Sequence, residues 1–235
     1  MNPPVNHEII LSIETATPVC SIAIHINGKL EGIREHFADK SHSQLLIPMI
    51  RELLKNAGIG FNELSAVAVS KGPGSYTGLR IGVSAAKGLC FAHDIPLIGV
   101  DTLLAIARQV IAAPGKGTGF VCPMLDARRM EVYTMLVGDD SNIIVPVHAA
   151  IIDENSFREY LKNQRIVFAG PGALKCKAVL GGHPNAVFMD GIEASAGTIG
   201  ELAHKLFLEK SFEDTAAFEP FYLKEFQATI PRKRL

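Results

Sequence analysis

A glycine-rich loop, two acids that close apolar runs, and a few scattered hydroxyls and imidazoles are the residues here whose types and spacing could do chemistry. The loop is Gly72-Pro73-Gly74-Ser75-Tyr76-Thr77-Gly78. An apolar run precedes it and a helical pattern follows. Strand, glycine loop and helix N-terminus together make a phosphate cradle, because glycines let the backbone approach and the helix dipole favours an anion. The spacing is G-x-G-x-x-x-G rather than the dinucleotide G-x-G-x-x-G, and no lysine follows Gly78, so it is no Walker loop either. The competing reading is a tight strand-to-helix turn that needs glycine only for its dihedrals. Both readings stand at this point. On the phosphate reading the candidate residues are Glu14, Thr15, Gly72, Gly74, Ser75, Thr77 and Gly78.

Glu14 and Asp126 each end a strand-like run. Acids so placed orient metal and water in phosphate-handling proteins, or they stabilise turns. The turn after Glu14 is Thr15-Ala16-Thr17, and its lack of glycine argues against a close phosphate grip. Ser75 fails as a nucleophile: G-x-S-x-G would need glycines where Pro73 and Thr77 stand, so a turn or capping hydroxyl is expected. His36 and His42 are six residues apart, whereas a helical metal pair is spaced by three or four, so no metal site is predicted and His42 is read as a helix cap. Cys20, Cys90, Cys122 and Cys176 form no C-x-x-C pair and sit among apolar neighbours, which predicts buried, reduced thiols in a cytosolic protein.

The elements that must position these residues follow from periodicity. Residues 9–13 and 20–26 read as strands, and Asn27-Gly28 is a tight hairpin turn into a third strand over 30–37. Ser41-His42-Ser43 offers helix caps. Leu45, Met49 and Leu53, with Leu46, Ile50 and Leu54, make one wide apolar stripe on a helix ending at Gly58. A strand over 64–70, a helix over 77–93, a strand over 96–100 and a helix to about 112 complete the first half. A joint is expected at 115–119. The second half echoes the first. A strand ends at Asp126, a strand follows over 131–137, and residues 166–169 run into Gly170-Pro171-Gly172 and a helix. A last helix is expected over 195–210. These echoes predict duplicated α/β domains with mixed sheets: residues 1–108, with 216–235 packing back on them, and residues 109–215.

Of the 235 residues, 48% are hydrophobic and 20% charged, and the net charge is −1. Mean hydropathy is +0.22. The balance lacks the basic excess of a tight nucleic-acid binder; the one basic run is Arg232-Lys233-Arg234. No apolar stretch approaches the ~20 residues of a membrane span, and residues 1–8 show no leader pattern, so a cytoplasmic location is expected. The 77–93 helix carries Gly78, Gly82, Ala85 and Ala86 on one side, next to the apolar stripe on the helix before it. Two such faces offer more apolar surface than one sheet face covers. A partner or dimer interface through Leu45, Leu46, Met49, Ile50, Leu53, Leu79, Gly82, Val83 and Ala86 is therefore expected.

Several segments resemble the TsaB family: Ser41-His42-Ser43-Gln44-Leu45-Leu46-Ile47-Pro48-Met49-Ile50, the 72–82 glycine segment, Pro96-Leu97-Ile98-Gly99-Val100, Asp126-Ala127-Arg128-Arg129-Met130-Glu131-Val132-Tyr133 and Pro220-Phe221-Tyr222-Leu223-Lys224. The resemblance implies two duplicated actin/ribonuclease-H-like domains of the actin-like ATPase superfamily. It also implies a bacterial, non-catalytic subunit needed for N6-threonylcarbamoyladenosine beside the tRNA anticodon. The implied partners are a TsaD-type catalytic subunit, docked through the two helices just described, a TsaE-type ATPase, a second copy in isolation, and tRNA through the complex. No membrane is involved, no cofactor is the chain's own, and ATP or ADP would lie at the complex interface. TsaD carries Asn-His-x-x-x-His after the matching strand, where Asp101, Thr102 and Ile106 stand here, so the metal-binding histidines are missing. The rival reading from the residues is a Rossmann-like oxidoreductase that uses residues 72–78 for a dinucleotide and Asp101 as its acid. A peptidase has no coherent triad here.

Overall fold

The computed structural model describes residues 7–37, 42–114 and 119–224. Ser41, most of the expected joint and the basic run lie outside them. β1 (Ile9–Glu14), β2 (Val19–Ile26) and β3 (Lys29–Phe37) form the expected antiparallel meander. Asn27 and Gly28 turn the hairpin with φ of 50° and 76°, the left-handed pair a tight type I′ turn needs. α1 (His42–Ala57), β4 (Ala66–Gly72), α2 (Tyr76–His93), β5 (Leu97–Asp101) and α3 (Thr102–Ala112) follow. β4 pairs parallel with β1, and β5 parallel with β4, giving the order β3-β2-β1-β4-β5.

The chain then repeats itself. β6 (Phe120–Asp126), β7 (Glu131–Gly138) and β8 (Ile143–Ile151) form a second meander. α4 (Arg158–Leu161), β9 (Ile166–Ala169), α5 (Ala173–Leu180), β10 (Ala186–Met189) and α6 (Ala196–Leu208) complete the same succession. The second sheet has the order β8-β7-β6-β9-β10, the first sheet's order again. Antiparallel meanders on both sheets exclude the all-parallel doubly wound sheet that a Rossmann-like oxidoreductase needs, so that rival falls on topology.

Strand alternation divides each sheet into two faces. On the first sheet, Leu11, Ile13, Ile22, Ile24, Val67 and Val69 pack against α1 and α2. The opposite face presents Ile10, Ala66, Ala68, Ile98 and Val100 to Ile199 and Ala203 of α6. On the second sheet, Val121, Leu125, Val137 and Val167 pack against Leu103, Ile106 and Val110 of α3. Cys122, Met124 and Phe168 pack against Cys176 and Leu180 of α5 on the far side. The last helix of each half thus covers the other half's sheet, and α3 and α6 also touch each other. A cut at residue 108 passes through α3, and α6, counted by sequence with the second half, covers the first sheet. All four cysteines are free and buried.

α6 seats itself through small residues. A Cβ on Gly200 would overlap the ring of His25, which is fully buried, and would lie 2.7 Å from Ser12 Oγ. Gly88 on the exposed side of α2 has nothing within 4 Å of its Cβ position. The same substitution therefore has opposite signs at the two sites. Gly88→Ala should stabilise by about 0.5–1 kcal/mol through helix propensity. Gly200→Ala should destabilise by about 1–3 kcal/mol, because overpacking outweighs that gain. Urea denaturation midpoints of the two variants measure the contrast.

Candidate functional site

The glycine loop is packed by the chain's own backbone. Ser75 N–H donates to the Ala16 carbonyl at 2.7 Å, and Thr15 Oγ1 donates to the Gly78 carbonyl at 2.8 Å. A Cβ on Gly74 would lie 2.5 Å from the Ala16 oxygen, and one on Gly78 would overlap the Thr15 oxygen. Gly82, one turn on, lets Thr15 Oγ1 approach the helix, and Gly72, at φ +113°, would meet the Phe221 carbonyl at 2.7 Å. The glycines serve a strand-to-helix turn pressed against residues 15, 16 and 221. These close backbone approaches account for Gly72, Gly74 and Gly78 by the turn reading. Ser75 Oγ accepts from Gly78 N–H at 3.3 Å as the N-cap of α2, the capping role its spacing indicated.

Behind this turn lies a buried polar group. Glu14 is fully enclosed; one carboxylate oxygen accepts from Ala16 N–H, and the other has no partner among the described residues. Burial pushes its pKa up from 4.5 to about 7, against the lowering effects of the Ala16 N–H and of Ser70 on the adjacent strand. Ser12 and Thr102 are likewise buried, and their hydroxyls have no partner among the described residues. Asp101 N-caps α3 through Leu104 N–H at 3.0 Å, Thr102 is buried, and Ile106 is fully enclosed in the core between α3 and the second sheet. Among the described residues, no group of three or more His, Cys, Asp or Glu is placed to hold a metal ion. His42 Nε2 bonds the Thr17 carbonyl at 3.0 Å and ties α1 to the β1–β2 turn. His36 stays exposed on β3.

Asp126 is the counterpart of Glu14 at the end of β6, but it is exposed. Its Oδ1 accepts from Lys175 Nζ at 2.6 Å and from Arg128 N–H at 2.7 Å. Burial acts upward on its carboxyl, yet these bonds and the Lys175 charge hold it below the usual carboxylate range. The duplicated acids therefore differ: one is buried with its pKa pushed up to about 7, the other is exposed, paired with Lys175 and held below the usual carboxylate range.

The expected interface set needs correction. Leu46, Ile50, Leu53, Leu79, Gly82, Val83 and Ala86 are buried in this chain's own core, and only Leu45 and Met49 are half-exposed. Both helices turn their richest apolar faces to the first sheet. What the pair leaves outside is Ile47, Ser84, Gly88 and Phe91, which is 87% exposed, with Ile81, Ala85 and Leu89 half-covered beside them.

One constellation joins residues too far apart in sequence to be paired by spacing. Arg80 lies over the Tyr76 ring at 4.3 Å, and its Nε donates to Tyr222 Oη at 3.1 Å. The Tyr76 and Tyr222 rings are 4.7 Å apart. Lys87 Nζ donates to the carbonyls of Ala216 and Phe218 at 3.0 and 2.9 Å. With the Glu213–Leu97 bridge and Phe221 N–H donating to the Lys71 carbonyl, these contacts strap the C-terminal segment onto the first half, as far as residue 224. The strap and α2 enclose a surface cavity of about 260 Å³ lined by Arg80, Ser84, Lys87 and Tyr222.

Two copies of one α/β unit, facing each other across exchanged helices, define a protein of the actin-like ATPase class, as the resemblance implied. Within that class, the chain belongs to the family described as TsaD, tRNA N6-adenosine threonylcarbamoyltransferase, which it matches over residues 19–231. It is 38% identical over 124 residues to the tRNA threonylcarbamoyladenosine biosynthesis protein TsaB of Haemophilus influenzae, covering 53% of this chain and 51% of that one. It is 37% identical over 135 residues to the protein of the same name from Escherichia coli, covering 57% and 56%. The matched region thus spans about half the length of these curated relatives. The solved structure of YeaZ from Pseudomonas aeruginosa superposes with a TM-score of 0.78 at 25% identity, covering 92% of this chain and all of that one.

The buried carboxyl gives the site a pH signature. Glu14 folds with a pKa of about 7 against 4.5 when exposed, so its stabilising neutral form is fully present below pH 4.5 and lost as pH rises through 7. At about 1.4 kcal/mol per unit, the loss is on the order of 3 kcal/mol. Urea midpoints should fall from pH 5 to pH 8 in the unaltered protein and stay nearly level in Glu14→Gln. Parallel curves for the two proteins would remove Glu14 from the account.

Proposed function

We propose that this chain acts in tRNA N6-threonylcarbamoyladenosine biosynthesis as a non-catalytic subunit that scaffolds and activates a TsaD-type catalytic partner. The observation that carries this reading is the state of residues 101, 102 and 106. A site transferring a carbamoyl group with metal assistance needs donor side chains there. Asp101 is committed to capping α3, Thr102 is buried, and Ile106 is a core side chain that carries no donor atom. Similarity to proteins named for this pathway supports the assignment. What remains for function is surface.

The exposed flank of the α1–α2 pair is the docking face in this reading: Leu45, Ile47 and Met49 on α1, and Ile81, Leu89 and Phe91 on α2. A second copy would use the same face when the partner is absent, and a TsaE-type ATPase and tRNA would be engaged through the assembly. This reading gives the chain no nucleotide of its own and puts ATP or ADP at the interface with the partner. No described helix is long and apolar enough to cross a membrane, and the proposed place of action is the cytoplasm.

Leu46→Glu cannot test this face, since Leu46 is a core residue. The paired change Met49→Glu with Phe91→Glu should leave the thermal midpoint within a few degrees and weaken association with the catalytic subunit by about tenfold or more. Modified-nucleoside levels in tRNA from cells carrying only this variant should fall in step. Unaltered association would remove the docking face. Threonylcarbamoyl transfer to an anticodon stem-loop by the purified chain alone would overturn the non-catalytic reading.

A further inference from the structure

The cavity of about 260 Å³ between α2 and the strap sets hydrogen-bond donors beside apolar walls. Arg80, Ser84 and Lys87 are four and three residues apart, so all three stand on the side of α2 that faces the strap. Arg80 lies over the Tyr76 ring, and its Nε donates to Tyr222 Oη at 3.1 Å. Stacked ring and hydroxyl together fix the plane of the guanidinium. A guanidinium carries five N–H groups, and Tyr222 takes the one on Nε. Because the Tyr222 hydroxyl accepts from Arg80, its own proton is left to donate elsewhere. Ser84 is exposed one turn along the helix. Val83, Phe218 and Pro220 supply the apolar walls.

Charge decides what this lining accepts. Lys87 is engaged with the strap through the carbonyls of Ala216 and Phe218. Glu219 is the acid of the lining, and its charge reaches Arg80. None of Arg80, Lys87 and Glu219 has an ion-pair partner within 4 Å among the described residues. Two cations against one carboxylate leave the lining with one net positive charge. A second carboxylate matches that charge. A phosphate monoester, at about −1.5 to −2 near neutrality, would set excess negative charge against Glu219. The apolar walls suit the methylene stem of an acidic side chain. Ser84 also belongs to the exposed flank of the α1–α2 pair, with Gly88 and Phe91 further along α2. A protein seated on that flank would border the mouth of the cavity.

We infer that this cavity is a receptor for a carboxylate, filled in the assembly by an acidic side chain of the protein that docks on the α1–α2 flank. This rests on the docking face proposed above and adds a charged anchor to it. The Arg80 fork takes the two carboxylate oxygens, and the Ser84 and Tyr222 hydroxyls donate to them from the sides. An arginine held in one plane beside an apolar contact sets the orientation of the partner as well as attracting it. The apolar flank by itself accepts many hydrophobic surfaces. The receptor favours the one that places an acid at its mouth.

The test uses the full chain, alone and with the catalytic subunit. Arg80→Gln should weaken association with that subunit about tenfold or more, and Tyr222→Phe should weaken it about threefold to tenfold. Glu219→Gln should strengthen it about two- to fivefold at low salt, because the repelling charge is gone. In the chain alone, the NMR signal of the Arg80 Nε–H group should move saturably with sodium acetate. It should move much less with sodium phosphate or sodium chloride at equal ionic strength. Unchanged association in Arg80→Gln would sink the inference. So would a loss in Arg80→Gln with no gain in Glu219→Gln, since Arg80 would then act only by holding the strap. A larger response to phosphate than to acetate would reject the carboxylate as ligand. If the unaltered chain does not associate with the catalytic subunit, the docking reading falls, while the acetate titration still decides the receptor.

Discussion

The close approach of the β1–β2 turn to the loop between β4 and α2 governs the rest of the molecule's functional face. Thr15 and Ala16 lie against Gly74, Gly78 and Gly82 with no room for a Cβ. Two hydrogen bonds, from Ser75 to Ala16 and from Thr15 to Gly78, fix the contact. Its effects spread outward. α2 starts where Ser75 can cap it, Glu14 is shut in behind the turn, and the strap lies over Gly72 through Phe221. Backbone packed against backbone joins the β1–β2 turn to the start of α2.

Duplication supplies a control within one chain. β1 and β6 each end in an acid, and the strands around them have the same order. One acid became a buried, unpaired carboxyl and the other an exposed member of an ion pair. The first half has two long helices, α1 and α2, where the second has the shorter α4 and α5.

Exchange of α3 and α6 locks the halves together. Each helix continues one half and covers the other's sheet, so neither sheet keeps its core if the halves part. The seat of α6 sets small and polar residues, Gly197, Gly200, Ser12 and His25, beside the aliphatics Ile10, Ile98 and Val100.

Local order fixes some of this without tertiary structure. The apolar run of β1, the alternation in β2, the Asn27-Gly28 turn and the repeated strand–acid and strand–glycine–helix successions depend on neighbours a few residues away, so the elements and the duplication were legible in the sequence. So was the capping role of Ser75, because G-x-S-x-G was absent. Direction and proximity were not legible. Periodicity shows that Leu46, Ile50 and Val83 share a face with their neighbours, but it cannot say whether that face meets a partner or the chain's own sheet; packing against β1 and β2 decided it. Nor can spacing show that Tyr222 would reach Arg80, that α6 would cross to the first sheet, or that residues 15 and 16 would press against Gly74 and Gly78. Those are contacts between segments tens to more than a hundred residues apart, set by which faces remain to be buried once the local elements have formed.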